Sequence, residues 1–180
     1  MLNYNHEQAI ACYMNVTELD PTCAMAWWGI AYCVSSNYNW TPGLGSGYDP
    51  IQQAISLKAG CTGLEQDLID ALAERHSEEA RDAADPSVLN MGNSPELNIA
   101  FAKAMAPLYL KYKGNLDVAA IYVEALMNLN AWQLWNKNTE TGEITPLDNN
   151  TLLCVKVMED AFENISGAKQ HIALCHLYCH

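Results

Sequence analysis

The hydrophobic positions of the first segment recur at the spacing of an α-helix. Apolar side chains return every three or four residues, at Ala9, Ile10, Tyr13, Val16 and Leu19. This spacing places them on one face of a helix. The helix should end at Asp20, because a residue that precedes a proline is pushed away from helical geometry. The pattern therefore predicts a first helix over residues 6–19.

Similar patterns and helix-start signals predict seven further helices. Their expected ranges are 23–34, 49–59, 62–76, 94–113, 117–129, 150–163 and 166 to the end. Thr62 and Glu65 have the spacing of a capping box, and Ser94 stands before Pro95 as an N-cap. Pro107 lies inside the fifth helix and should kink it, since it removes a backbone donor. The fold class is predicted to be all-α.

One stretch interrupts the helical pattern. Residues 136–147 are rich in threonine and contain Thr141-Gly142, which suits a tight turn. We expect a small β-hairpin or an irregular excursion there. We predict a single helical domain over residues 1–180. Its non-helical segments are a loop at 36–48, a linker at 77–94 and the hairpin-like insert at 136–147.

Residues 5–35 resemble one tetratricopeptide repeat. Ala9, Tyr13, Val16 and Pro21 follow one another at intervals of four, three and five residues, and Trp27 and Ile30 come next. The repeat, about 34 residues long, places small, aromatic and proline residues in this way. The resemblance implies antiparallel helix pairs in a right-handed α-solenoid. It also implies burial at the first helix interface of Ala9, Tyr13, Val16, Trp27 and Ile30.

A narrower resemblance is carried by several longer stretches. The chain is similar to a branch of large, mostly bacterial tetratricopeptide-containing proteins of unassigned activity. The matching stretches are 5–9, 20–32, 117–119, 122–128 and 176–180, together with Trp132 and Trp135. Proteins of that branch are longer than this chain. The resemblance therefore implies that the chain is a piece of a longer protein, incomplete at both ends.

Charge and cysteine content restrict the partners and the compartment. Lys and Arg total 9 against 21 Asp and Glu, which gives a net charge of -12. Such a surface repels phosphate backbones and anionic lipids, so we expect no nucleic-acid or membrane partner. The number of cysteines, 7, is odd, and the N-terminus does not resemble a secretion signal. These features indicate reduced thiols and a cytoplasmic chain.

Histidines near residue 180 form a candidate metal site. His176 and His180 are four residues apart on a predicted helix, so they share a face and could bind one ion. His171 is a further candidate ligand. Nitrogen ligands, with thiolates nearby, would suit zinc or copper. The alternative is that these side chains only pack at a helix surface.

Asparagine and tryptophan residues form a second candidate site, for a polar ligand. They lie after the second helix and at the end of the sixth, and they are Asn37, Asn39, Trp40, Asn128, Trp132 and Trp135. Amide and indole groups at helix ends could converge on one ligand, because loops on a rigid scaffold commonly carry function. Alternatively, the asparagines cap helices and the tryptophans cover apolar edges.

The sequence contains no recognised catalytic motif. It lacks a nucleophile elbow, an H-E-x-x-H pair and paired catalytic carboxylates, so no catalytic residue is assigned. The sequence favours an interaction module that binds a protein or peptide segment in a concave groove. The alternatives are a purely structural piece of a solenoid, and a metal-binding protein or enzyme. Convergence of Asn37, Asn128 and His176 on one cavity would favour the last.

Overall fold

Nine α-helices and one two-stranded sheet form the described part of the chain. A computed structural model describes residues 1–39, 45–82 and 94–180. The helices are α1 His6–Leu19, α2 Ala24–Val34, α3 Tyr48–Leu57, α4 Gly63–Ala73, α5 Glu78–Asp82, α6 Pro95–Lys111, α7 Leu116–Met127, α8 Asn149–Asn164 and α9 Ile172–Tyr178. The strands are β1 Trp135–Lys137 and β2 Ile144–Pro146. The prediction of a mostly helical fold is confirmed.

Side-chain caps start several helices where the sequence indicated. Thr62 and Glu65 make both bonds of a capping box at α4, and Ser94 accepts a bond from the backbone of α6. At α7 the cap is Asn115, whose side chain accepts from the N–H groups of Asp117 and Val118. The last predicted helix, from 166 onward, is broken instead by a short 3-10 turn before α9.

The interruption near residue 140 is a β-hairpin. Strands β1 and β2 are antiparallel, with Trp135 paired to Pro146 and Lys137 to Ile144. Gly142 lies in the connecting turn with a φ of 74°, a conformation that glycine adopts without steric cost. The hairpin expected at 136–147 is confirmed, with its first strand starting one residue earlier.

Helices that follow one another in the chain pack against each other. Helix α1 contacts α2, α2 contacts α3 and α4, α4 contacts α6, and α7 contacts α6, α8 and α9. The most buried elements are α2 and α7, which carry apolar side chains on nearly every side. A helix that is apolar all round belongs in the interior, and these two form the centre of the core.

The first helix pair packs differently in detail from the prediction. Ile30 is buried as expected, but Val16 on α1 is 39% exposed, so the predicted burial of Val16 is wrong. Trp27 is only partly buried, and its indole N–H donates to the Pro21 carbonyl at the surface. Its neighbour Trp28 is the tryptophan that enters the core. Because α2 has apolar residues on nearly every side, the packing of the neighbouring helices decides which of the two tryptophans is buried.

The predicted linker at 77–94 contains the short helix α5. Arg81 on α5 forms ion pairs with three carboxylates, those of Asp49, Glu78 and Asp82. Its guanidinium also lies over the Tyr48 ring, 4.9 Å from the centroid. These contacts attach α5 to the start of α3, so residues 78–82 form a helix packed on the fold within the predicted linker.

Two sequence expectations concern the environment of the chain. Among the described residues no helix is both long and apolar enough to cross a membrane. All 7 cysteines are described, and each has a free thiol. The free thiols agree with the expectation of reduced cysteines.

Candidate functional site

The segments that follow α2 and α7 meet the last turn of α9. Six side chains come together there, and we call them the helix-end cluster. They are Tyr4, Tyr38, Asn39, Trp132, His176 and His180. Four of them, Tyr4, Tyr38, Asn39 and Trp132, lie far from His176 in sequence, so the cluster exists only in the folded protein. It contains four of the nine residues that the sequence proposed for a site.

Two imidazoles and an amide face each other inside the cluster. The side-chain nitrogen of Asn39 lies 2.9 Å from Nε2 of His176. Nε2 of His180 lies 3.4 Å from the same His176 nitrogen. Burial, and next the charge of a protonated His176, lowers the pKa of His180. The neutral imidazole is therefore favoured at His180, and a neutral ring can offer a lone pair to a ligand.

Aromatic rings hold the two imidazoles in place. Tyr4 stacks on His176 with ring centroids 4.4 Å apart, and Tyr38 lies 4.6 Å from the His180 ring. Tyr38 also stacks on Trp132 at 5.3 Å. The exposed fraction of Trp132 is 62%, so it forms the solvent side of the cluster. These ring contacts restrict the rotation of both histidine side chains.

Two members of the cluster have an unfavourable backbone conformation. Tyr4 has a φ of 61° and Trp132 a φ of 64°. Within the described ranges they are the only non-glycine residues with positive φ. A bulky residue in this region costs about 1–3 kcal/mol, which the surrounding contacts must offset. Such conformations concentrate at binding and catalytic sites, so the cluster is a candidate of that kind.

Trp135, another predicted site residue, connects the hairpin to the cluster. Its indole N–H donates to the backbone carbonyl of His180 at 2.9 Å. The bond links β1 to the end of α9 and positions the His180 backbone. Trp135 therefore supports the cluster from outside.

A buried carboxylate and a buried guanidinium lie beneath the cluster. Glu124 accepts a 2.5 Å hydrogen bond from the hydroxyl of Tyr32. Burial, followed by the charge of Glu124 and a hydrogen bond to it, raises the pKa of Tyr4. The Tyr32 phenol donates to Glu124, and the raised pKa of Tyr4 keeps a second phenol near this carboxylate protonated.

Arg75 joins the ends of three helices beside this carboxylate. Its Nε donates to the Asn98 side chain at 3.0 Å, and its Nη2 donates to the Ser36 carbonyl at 2.6 Å. The guanidinium lies over the Phe101 ring, 5.3 Å from the centroid. Arg75 is only 4% exposed, and its charge offsets that of Glu124. A charged residue inside an apolar helical run, as at Glu124, was the sequence signal that could have identified this pair.

Asn37 and Asn128 have different surroundings. Asn37 is buried, and its side-chain oxygen accepts from the backbone of Asn39 at 3.0 Å. Asn128 lines a different pocket of about 400 Å³ with Asn98, Asn130 and other polar groups. In the described part of the chain its Nδ2 is buried without a hydrogen-bond partner. Trp40 lies outside the described residues.

His171 is directed away from the other two histidines. Its Nε2 lies 3.0 Å from a carboxylate oxygen of Asp117, and its Nδ1 accepts from the Leu174 N–H at the start of α9. Both ring nitrogens are thus engaged outside the helix-end cluster. Across 1–39, 45–82 and 94–180, no group of three or more His, Cys, Asp or Glu side chains is placed to hold a metal ion.

A groove of about 400 Å³ lies beside α9, and His180 borders both this groove and the cluster. Its floor is apolar and is formed by Met127, Leu134, Met158 and Leu177. Val155 and Trp135 line it as well, and Glu159 accepts a 2.9 Å bond from the Tyr178 hydroxyl beside it. Sequence analysis missed this groove because its residues come from α7, α8, α9 and the hairpin, and none has a distinctive chemical pattern.

Comparison with known proteins adds no assignment. No protein-family model, curated protein or solved structure matches the chain. The candidate sites are therefore interpreted from their contacts, distances and charges.

Proposed function

We propose that the chain is a tetratricopeptide-like interaction module that binds a basic, apolar protein or peptide segment. The segment would occupy the groove between α8, α9 and β1. In this proposal the antiparallel helix pairs continue as a right-handed solenoid, and the groove lies on its concave side. The observation that carries the proposal is the groove itself, an apolar surface depression that the fold leaves open.

The size and lining of the groove suit side chains of a partner. Its volume, about 400 Å³, falls in the usual range for protein binding pockets. The floor offers two methionine side chains, Met127 and Met158, which adapt to differently shaped apolar partners. Trp135 is 43% exposed at the edge, and a tryptophan there supplies a large contact area.

The charge around the groove favours a cationic partner. Glu159 lines it, and Glu163 follows four residues later on the same helix. The hairpin turn adds Glu140 and Glu143. With a net charge of -12, the whole chain attracts basic segments and repels acidic ones.

A binding measurement with a defined probe tests this function. The probe is a fluorescent 14-residue amphipathic helix of leucine and lysine, and the comparison peptide replaces every lysine by glutamate. Fluorescence anisotropy should give tighter binding of the lysine peptide to the protein. Absence of binding, or equal binding of both peptides, would contradict the proposal.

A matched pair of variants on α8 locates the site. Val155→Glu places a carboxylate in the groove, whereas Leu152→Glu places the same charge on an exposed position of the same helix outside its lining. We expect Val155→Glu to weaken binding of the lysine peptide at least roughly tenfold, because a bound peptide would desolvate the carboxylate inside the apolar groove. The added attraction for lysine is shared by Leu152→Glu, so the comparison of the two variants removes it. Leu152→Glu should leave the affinity within about twofold. Equal effects of the two would place the peptide elsewhere.

A further inference from the structure

We propose that the helix-end cluster binds one zinc ion. The ligands are Nε2 of His176, Nε2 of His180 and the side-chain oxygen of Asn39, and a water molecule completes the shell. This inference does not rest on the peptide groove, and His180→Ala is the one variant among those tested that changes a residue of the groove lining. It rests on the distances among the three side chains and on the way the fold restrains them.

The separation of the two imidazole nitrogens fits tetrahedral zinc. Zn–N bonds of about 2.0–2.1 Å at a tetrahedral angle place two ligand nitrogens about 3.3–3.4 Å apart. The observed separation between Nε2 of His176 and Nε2 of His180 is 3.4 Å. Adjacent ligands in a square-planar copper(II) site would be closer, at about 2.8–2.9 Å. The pair therefore favours zinc over copper(II).

Asn39 can supply the third ligand. The end of its amide lies 2.9 Å from Nε2 of His176, so it faces the same point as the histidines. Oxygen and nitrogen of an amide exchange places by a half-turn of the terminal group, which brings the oxygen to the ion. The backbone N–H of Asn39 bonds to the Asn37 side chain at 3.0 Å, which fixes the turn that carries the amide.

Surrounding aromatic groups hold the ligands. Tyr4 stacks on His176 with ring centroids 4.4 Å apart, and Tyr38 packs against His180 at 4.6 Å. These ring contacts restrict how far the two imidazoles can turn away from each other.

The neighbouring thiols point elsewhere. The Cys175 sulfur lies 3.4 Å from the Lys169 carbonyl, and the Cys179 sulfur lies 3.2 Å from the Cys175 carbonyl. Both can donate to backbone oxygens on their own side of the chain. The proposed zinc shell is accordingly made of nitrogen and oxygen atoms, without thiolate.

Calorimetric titration of the protein with zinc alone tests the site. We expect one ion per chain, with the affinity reduced at least roughly tenfold by His176→Ala and by His180→Ala. Asn39→Ala should also weaken binding, and Asn39→Asp should strengthen it because a carboxylate is a better zinc ligand than an amide. Circular dichroism of each variant verifies that it is folded. If an alanine variant does not fold, Asn39→Asp still tests the site.

Two matched controls separate this site from other zinc ligands. His171→Ala removes a histidine of the same segment that is bonded to Asp117, and Cys175→Ser/Cys179→Ser removes the nearby thiols. Both should leave zinc affinity within about twofold. Cobalt(II) in place of zinc should give the intense visible absorption of a tetrahedral ion. The proposal is overturned if zinc does not bind, if either control loses affinity as the histidine variants do, or if Asn39→Asp has no effect.

Discussion

The hydroxyl of Tyr32 on α2 donates a 2.5 Å hydrogen bond to the carboxylate of Glu124 on α7, 92 residues further along the chain. The two helices are the most buried elements of the fold, and this bond joins them at the centre of the core. Burial, and then the charge of Glu124, raises the pKa of Tyr32. The phenol therefore remains a donor, and Glu124 keeps its partner.

Removing this donor should destabilise the fold. Tyr32→Phe leaves a buried carboxylate with one hydrogen bond fewer, and we expect the free energy of unfolding to fall by about 1–3 kcal/mol. Urea denaturation monitored by circular dichroism measures the change. The matched control is Tyr178→Phe, which removes a tyrosine–glutamate bond to Glu159 at the surface. That control should lower the free energy of unfolding much less. Equal losses in the two variants would show that the stabilising effect of the bond does not depend on its burial.

Gly47, at the start of α3, should not tolerate a side chain. A Cβ at this position would lie 2.8 Å from the Ala31 carbonyl oxygen, a backbone atom that cannot move aside easily, and would also meet the His76 ring. Gly47→Ala should lower the free energy of unfolding by about 1–3 kcal/mol. Gly60→Ala is the control, because no atom lies within 4 Å of its added Cβ. Unchanged thermal denaturation of Gly47→Ala would contradict the close approach of α3 to α2.

His76 should make stability dependent on pH. Burial, and next the charge of Arg75, lowers the pKa of His76 to about 3 from an ordinary value near 6.5. In the unfolded chain His76 is therefore protonated below about pH 6.5, whereas in the folded chain it stays neutral down to about pH 3. The stabilisation is complete above pH 6.5 and is lost progressively as the pH falls toward 3.

A variant isolates this contribution from that of the carboxylates. His76→Gln cannot take up the proton, so its stability should fall less between pH 7 and pH 4 than that of the wild type. The difference between the two slopes should be at most about 1.4 kcal/mol per pH unit. Urea denaturation at several pH values measures both. Parallel curves for the two proteins would mean that His76 does not remain neutral in the fold.

Much of the secondary structure could be predicted from short stretches of sequence. The capping box of Thr62 and Glu65 and the hairpin turn at Gly142 depend on residues only a few positions apart. Helix α1 ends at Leu19, as the following Asp20-Pro21 indicated. These signals act through local backbone geometry, so the sequence contains them completely.

The candidate sites were only partly predictable. Histidines four residues apart share a helix face in any fold, so His176 and His180 could be paired from sequence. The contact of His176 with Asn39 joins residues 137 positions apart, and the Tyr32–Glu124 bond joins residues 92 positions apart. No local pattern encodes such contacts, because they depend on how whole helices dock.

The sequence by itself determined most of the helices, the caps at Thr62 and Ser94, the hairpin and the acidic charge, because each of these follows from neighbouring residues or from composition. The tertiary structure alone decided that Trp28 is buried rather than Trp27, that His171 pairs with Asp117 and that an apolar groove opens beside α9. The physical reason is that a helix with apolar residues on several sides could bury any one of those sides. Close packing against the neighbouring helices selects which side is buried.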